Sequence, residues 1–124
     1  MMRVFLGVAG IGGMISVIAG AMAAHSVADP KVAELLRTGA LYGMVHAVAL
    51  VALVALVGAG SPQPPRSISA LIAGWAFTAG IVMFSGSLFA LAAGSARWVG
   101  IVTPFGGVGF ILGWAAIGAL AFWR

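Results

Sequence analysis

Residues 80–113, GIVMFSGSLFALAAGSARWVGIVTPFGGVGFILG, decide the fold. Two apolar segments are joined by a short polar link. The least lipid-like residues, Ser85, Gly86, Ser87, Thr103, Pro104, Gly106 and Gly107, gather where the segments meet. A helix needs about 20 mostly apolar residues to cross a bilayer core. The pattern is therefore half of a membrane-embedded bundle, turning at one face of the membrane.

The composition supports this reading. Of the 124 residues, 63% are hydrophobic and 6% charged, against roughly 45–50% and 25% in soluble domains. A water-soluble fold built from this chain would have almost nothing polar to show to solvent. The net charge of +4 would suit a nucleic-acid binder, but Arg3, Lys31, Arg37, Arg66, Arg97 and Arg124 form no patch. Each lies at the edge of an apolar run, where topology-setting charges belong. With no cysteine in the chain, disulfides, thiolate metal sites, Fe–S clusters and thiol catalysis are excluded.

Working outward, the third span covers about 68–94 and the fourth about 104–123. Thr103 is a candidate N-cap, and Pro104 suits the first helical position. Gly109 and Gly113 form a small-xxx-small pair, and Arg97 and Trp98 mark an interfacial link. Upstream, the proline-rich link GSPQPPRS at 60–67 separates two helical hairpins. The second span, about 38–58, carries the pair Gly39/Gly43 and places Tyr42 and His46 on one face at i, i+4. Before it, residues 25–37 hold both acids, with Asp29 as N-cap to Pro30, and predict a short amphipathic surface helix with Val32, Leu35 and Leu36 on its apolar face. The first apolar run has a basic start and a small-residue Ala21-Met22-Ala23 site, as a signal peptide does. Its length nevertheless fits a spanning helix of about 3–24. Gly12, Ser16, Gly20 and Ala24 lie on one face of it, for close helix packing. The expected fold is all-α: one domain, 1–124, forming an integral membrane four-helix bundle of two hairpins.

Four spans put both termini and the central link on one side of the membrane. Basic residues divide three against three: Arg3, Arg66 and Arg124 on the terminal side, and Lys31, Arg37 and Arg97 opposite. The α-amino group, together with Asp29 and Glu34, tips the expectation towards cytoplasmic termini. Polar side chains are distributed less evenly. His25 ends span one, Tyr42 and His46 lie early in span two, Ser85 and Ser87 late in span three, and Thr103 opens span four, all towards the non-terminal side. At 1.5 Å per residue His46 lies about 12 Å below Thr38, and Ser85 about 13 Å below Gly94, so the two share a depth. The candidate site is thus Tyr42, His46, Ser85, Ser87 and Thr103, with the Gly106–Gly107 backbone offering N–H donors at a helix start and His25 at the rim. Each polar group also has a structural reading. Serines in spans bond their own i−4 carbonyls, His46 can be tied to Tyr42, a serine or the backbone, and His25 can cap its helix.

The motifs GAMAAHSV (20–27), RTGALYGMVHAVAL (37–50), MFSGSLFALA (83–92) and VTPFGGVGFILGWA (102–115) resemble, in order, those of domain-of-unknown-function family 423, the YgdD-like small membrane proteins. The resemblance implies a four-span protein of the bacterial inner membrane, with mitochondrial relatives in animals and no established activity. The family pattern favours an aromatic residue or Gly where Met22 and Ala23 stand, and Gln where Gly43 stands, so this chain has one amide fewer in the cluster.

Three function classes follow. The first binds a lipid or other small amphipathic ligand, such as a quinone headgroup, in the polar cluster. The second is an accessory subunit packing its small-residue faces against a larger membrane complex or another copy of itself. The third, enzymatic or proton-coupled, is the least supported. Ser85 and Ser87 have no carboxylate near them for a triad, no intramembrane acid exists, and His25 is too interfacial to pair with His46 on a haem. No cofactor, metal or nucleic acid is expected. A phosphatase active only outside the cytoplasm, fused after Arg124, should be silent; activity would place the termini on the opposite face.

Overall fold

The computed structural model describes residues 1–59 and 68–122. The proline-rich link with Arg66, and the terminal Trp123 and Arg124, lie outside the described residues. The elements are α1 (Met2–His25), α2 (Pro30–Ala59), α3 (Ile68–Gly80), a π-helical turn (Ile81–Ser85), α4 (Gly86–Ala92), a 3-10 turn (Arg97–Ile101) and α5 (Val102–Leu120). The stretches Met2–His25, Pro30–Gly58, Ile68–Ala92 and Arg97–Leu120 are each long and apolar enough to cross a membrane. Over the described residues the protein is an all-helical bundle of four such spans.

Two boundaries differ from the expectation. The amphipathic segment is not a separate surface helix, because it forms the first two turns of the 30-residue α2. Pro30 opens that helix, Asp29 Oδ1 accepts the Lys31 backbone N–H at 2.9 Å as an N-cap, and no breaker follows before the second span. Its buried Ala33 and Leu36 pack with Ala19 and Ala23 of α1, while Lys31, Glu34 and Arg37 stay exposed. Thr103 is likewise no N-cap. The 3-10 turn begins at Arg97 and runs straight into α5. Pro104 then falls in the first turn of α5, where an α-helical amide has no partner to lose.

Both hairpins form, with α1 packing most extensively on α2 and α3 on α5. The link between α4 and the 3-10 turn is closed by a Schellman motif. Ser95 N–H donates to Ala90 O at 3.0 Å and Gly94 N–H to Leu91 O at 3.1 Å. Gly94, at φ 93°, occupies the left-handed position, which only glycine adopts at little cost.

Lipid tails are as apolar as leucine, so the helices gain little by hiding apolar surface from them. Close packing must hold the bundle instead. Small residues allow it. The inward stripe of α1 runs through Phe5, Ala9, Ser16, Ala19 and Ala23; Gly12 faces Ile81, while Ala24 of the expected stripe is exposed. On α2, a side chain at Gly39 would strike the Phe89 ring. On α5, one at Gly109 would come within 3.0 Å of Ala76 O, and one at Gly113 would enter the Phe77 ring. The tightest crossing is at Gly106, where a Cβ would overlap the backbone nitrogen of Phe84 inside the π-turn. Phe5, Leu50, Phe77, Ile81 and Phe110 fill the centre that these approaches enclose.

Because backbone cannot yield as a side-chain tip can, Gly106→Ala should destabilise the protein by about 1–3 kcal/mol. Gly10→Ala, which meets nothing within 4 Å, should be neutral or mildly stabilising. Thermal unfolding midpoints in detergent read both; equal midpoints would refute the crossing.

Candidate functional site

His46 is the most constrained side chain in the bundle. It faces inward from the second span and is 3% exposed. Its Nδ1 lies 2.6 Å from Tyr42 O one turn earlier, and Trp114 Nε1 donates to its Nε2 at 3.0 Å. An indole N–H can only donate, so Nε2 is the bare acceptor and Nδ1–H donates to the carbonyl, which fixes a neutral tautomer. Phe110 stacks on the ring with centroids 3.6 Å apart and planes 8° apart. Phe77 and Trp114 close the sides at 5.3 and 6.0 Å. The expected bond between His46 and the Tyr42 residue exists, but through the backbone, so the Tyr42 phenol is left uncommitted. No hydrogen bond to that hydroxyl is present among the described residues, and Tyr42 is 43% exposed.

The two serines behave differently from each other. Ser85, 2% exposed, ignores its own helix and donates across the bundle to Gly39 O of α2 at 2.7 Å. Ser87 does bond back locally, to Phe84 O at 2.9 Å. Its only proton is then used, so the hydroxyl of Thr103 donates to Ser87 Oγ. This pair ties α4 to the start of α5.

The structure therefore distributes the expected site residues over two grooves, one internal pair, a packing contact and a helix end. Tyr42, His46 and Gly107 line a groove between α2 and α5, together with Leu41, Val45, Phe84, Pro104, Val108, Phe110, Ile111 and Trp114. Ser85 belongs to a different groove beside α1. Ser87 and Thr103 satisfy each other. Gly106 is a packing contact, and with the helical run starting at Arg97 the amides of Gly106 and Gly107 fall inside the ladder rather than at an open helix end. His25 is exposed at the end of α1 and lines neither groove.

The α2/α5 groove has a volume of about 640 Å³. From Pro104 to Trp114 it runs ten residues along α5, about 15 Å at 1.5 Å per residue, or half of a roughly 30 Å hydrocarbon core. Its depth is one leaflet. Tyr42 stands at the shallow end, five residues past Arg37, and Trp114 at the deep end.

Trp114 is the residue that sequence reasoning missed. A signal was present, because a tryptophan in mid-span lies away from the interfacial belts and its N–H needs an acceptor. His46 was the ring nitrogen available. Replacing Trp114 with Phe removes that donor and should cost about 0.5–1.5 kcal/mol. In the wild type, ¹⁵N spectra of labelled His46 should show a protonated Nδ1 and a bare Nε2; the opposite tautomer would refute the assignment.

Four apolar spans packed through glycines around a buried aromatic–histidine knot define a small polytopic membrane protein. The family it joins is shown by sequence: residues 19–107 match the model described as Protein of unknown function (DUF423), and the chain belongs to that family. It is 38% identical to the UPF0382 membrane protein YwdK of Bacillus subtilis, over 94% of each chain. It is 35% identical to a UPF0382 membrane protein of Staphylococcus epidermidis, over 94% of this chain and 93% of that one. The UPF0382 inner membrane protein YgdD of Escherichia coli is also 35% identical, over 98% of this chain and 93% of its own. No solved structure matches.

Proposed function

We propose that this protein binds a membrane lipid, with one acyl chain lying in the α2/α5 groove and the polar end beside Tyr42, and that it holds the lipid without chemical change. The observation that carries this reading is the uncommitted Tyr42 hydroxyl at the shallow end of an apolar groove one leaflet deep. The inner wall is pre-formed. Trp114 donates to His46, which donates to Tyr42 O, so the aromatic surface meeting the chain is held rigid before any ligand arrives. That rigidity lowers the ordering cost of binding. Both ring nitrogens of His46 are occupied in this arrangement, which supports a positioning role over proton carriage. The relative named an inner membrane protein supports a bacterial inner-membrane location, and with the cytoplasmic termini that the charge balance favours, the groove would open to the outer leaflet.

Gly107 lines the groove, and a Cβ there meets only the Phe84 ring, at an ordinary 3.8 Å. Gly107→Leu should therefore plug the groove while leaving the bundle folded. Native mass spectrometry of protein released from phospholipid nanodiscs should show retained lipid on the wild type and at least a several-fold loss in Gly107→Leu. Equal retention by the plugged variant, or none by the wild type, would overturn the reading.

A further inference from the structure

One buried polar atom has no partner. Ser16 Oγ, on a residue 1% exposed, makes no hydrogen bond among the described residues. An unsatisfied hydroxyl away from water costs on the order of 1–3 kcal/mol, and a serine in a helix could avoid that cost by turning to its own i−4 carbonyl. Ser16 instead points across to α2. Its oxygen takes the space that a side chain at Gly43 would fill, and a Cβ there would lie 3.1 Å from Ser85 Oγ. The two hydroxyls thus converge on Gly43 from α1 and from the π-turn. The absence of a side chain at 43 is what makes room for them. Ser85 has already given its proton to Gly39 O. What the pair still offers is one donor, from Ser16, and the lone pairs of both oxygens.

These serines line an apolar groove between α1 and the π-turn, with Ile11, Gly12, Val82 and Gly86 among its walls and a volume of about 260 Å³. It shares Ile15 and Phe89 with a second hollow of about 310 Å³ that reaches Met22 and Ala93 near the non-terminal face. The two hollows follow one another along α1, meeting at Ile15 and Phe89, and we call the pair the furrow. From Ala93 to Ile81 it follows twelve residues, about 18 Å at the helical rise. Ser16 lies nine residues, about 13.5 Å, before the end of α1, which is hydrocarbon depth rather than headgroup depth.

We propose that this furrow is a second binding site, independent of the α2/α5 groove, for an apolar molecule of the prenylated quinone class whose ring carbonyl accepts a hydrogen bond from Ser16 once the serine side chain rotates about χ1 from Gly43 into the furrow. The chemistry selects a carbonyl. An acceptor-only oxygen is completed by one donor, and one donor is what the site has free. An ion or phosphate has no counter-charge there, because among the described residues no charged side chain lines either hollow. An alcohol would have to give up its own hydrogen-bonding at the interface to reach this depth. The apolar furrow above and below Ser16 accommodates the ring substituents and tail.

Two variants separate the site from the fold. Ser16→Ala removes a hydroxyl that makes no hydrogen bond among the described residues. Gly86 lines the furrow, and a Cβ on it meets nothing within 4 Å, so Gly86→Leu fills the furrow without a clash. The probe is decyl-benzoquinone with ¹³C-labelled carbonyls, titrated into protein in phospholipid nanodiscs and read by infrared difference spectroscopy. The wild type should show a down-shifted, hydrogen-bonded carbonyl band. In Ser16→Ala the band should vanish and affinity should fall about tenfold, the equivalent of about 1.4 kcal/mol. Gly86→Leu should abolish binding, whereas Gly107→Leu should leave the band unchanged. A wild type with no shifted band, or a band surviving in Ser16→Ala, overturns the inference. A band lost only in Gly107→Leu also overturns it, and would move the quinone to the α2/α5 groove.

Discussion

The rest of the bundle depends on how close α5 comes to the chain at Phe84. Inside a bilayer the usual reward for burying apolar surface is absent, so helices associate only where their surfaces fit. At Gly106 the fit brings one backbone onto another, and Gly109 and Gly113 continue it down the helix against Ala76 and Phe77. This seam sets the rotation of α5, which delivers Phe110 to the face of His46 and Trp114 to its Nε2. The polar chemistry in the middle of the membrane is a consequence of glycine spacing along one helix.

A second constraint is polar satisfaction. No water is at hand in the core, so each hydroxyl, ring nitrogen and indole must find its partner within the protein. The bundle meets this partly within helices, as with His46 to Tyr42 O and Thr78 to Gly74 O, and partly with bonds that join elements: Ser85 to Gly39 across the hairpins, Thr103 to Ser87 across the last link, and Trp114 to His46 between α5 and α2. Only Ser16 breaks the pattern among the buried side chains of the described residues. Against that background the unpartnered Ser16 hydroxyl stands apart.

Much of the fold was legible in the sequence because hydropathy and glycine spacing report directly on span length and close packing. Depth was legible only coarsely: rise per residue is fixed, but Ser85 sits level with Gly39 on α2, whereas the His46 ring lies deeper, against Phe77, eight residues before Ser85. Azimuth was not. Height bookkeeping gathers Tyr42, His46, Ser85 and Ser87 into one cluster, whereas helix rotation sends them to two grooves and one internal pair. The partner of Ser85 is a backbone carbonyl, which no count of side chains reveals. The start of α5 was misplaced because SARWVGIV reads as a link, yet it contains no residue that breaks a helix after Ala96.

The π-helical turn at Ile81–Ser85 has a further consequence. Gly86 N–H reaches back five residues to Ile81 O, so the third span carries one residue more than a regular helix of its length. Each residue of an α-helix turns the chain by about 100°, so the turn acts as a phase shifter between two halves of one rod. Below it α3 is aimed at α5; above it α4 is aimed at α2, as Gly39 against Phe89 shows. Loss of a single residue there would leave hydropathy and span length almost untouched. It would nevertheless swing every side chain above the turn to a different compass bearing, so the two hairpins could no longer share one span as their common wall.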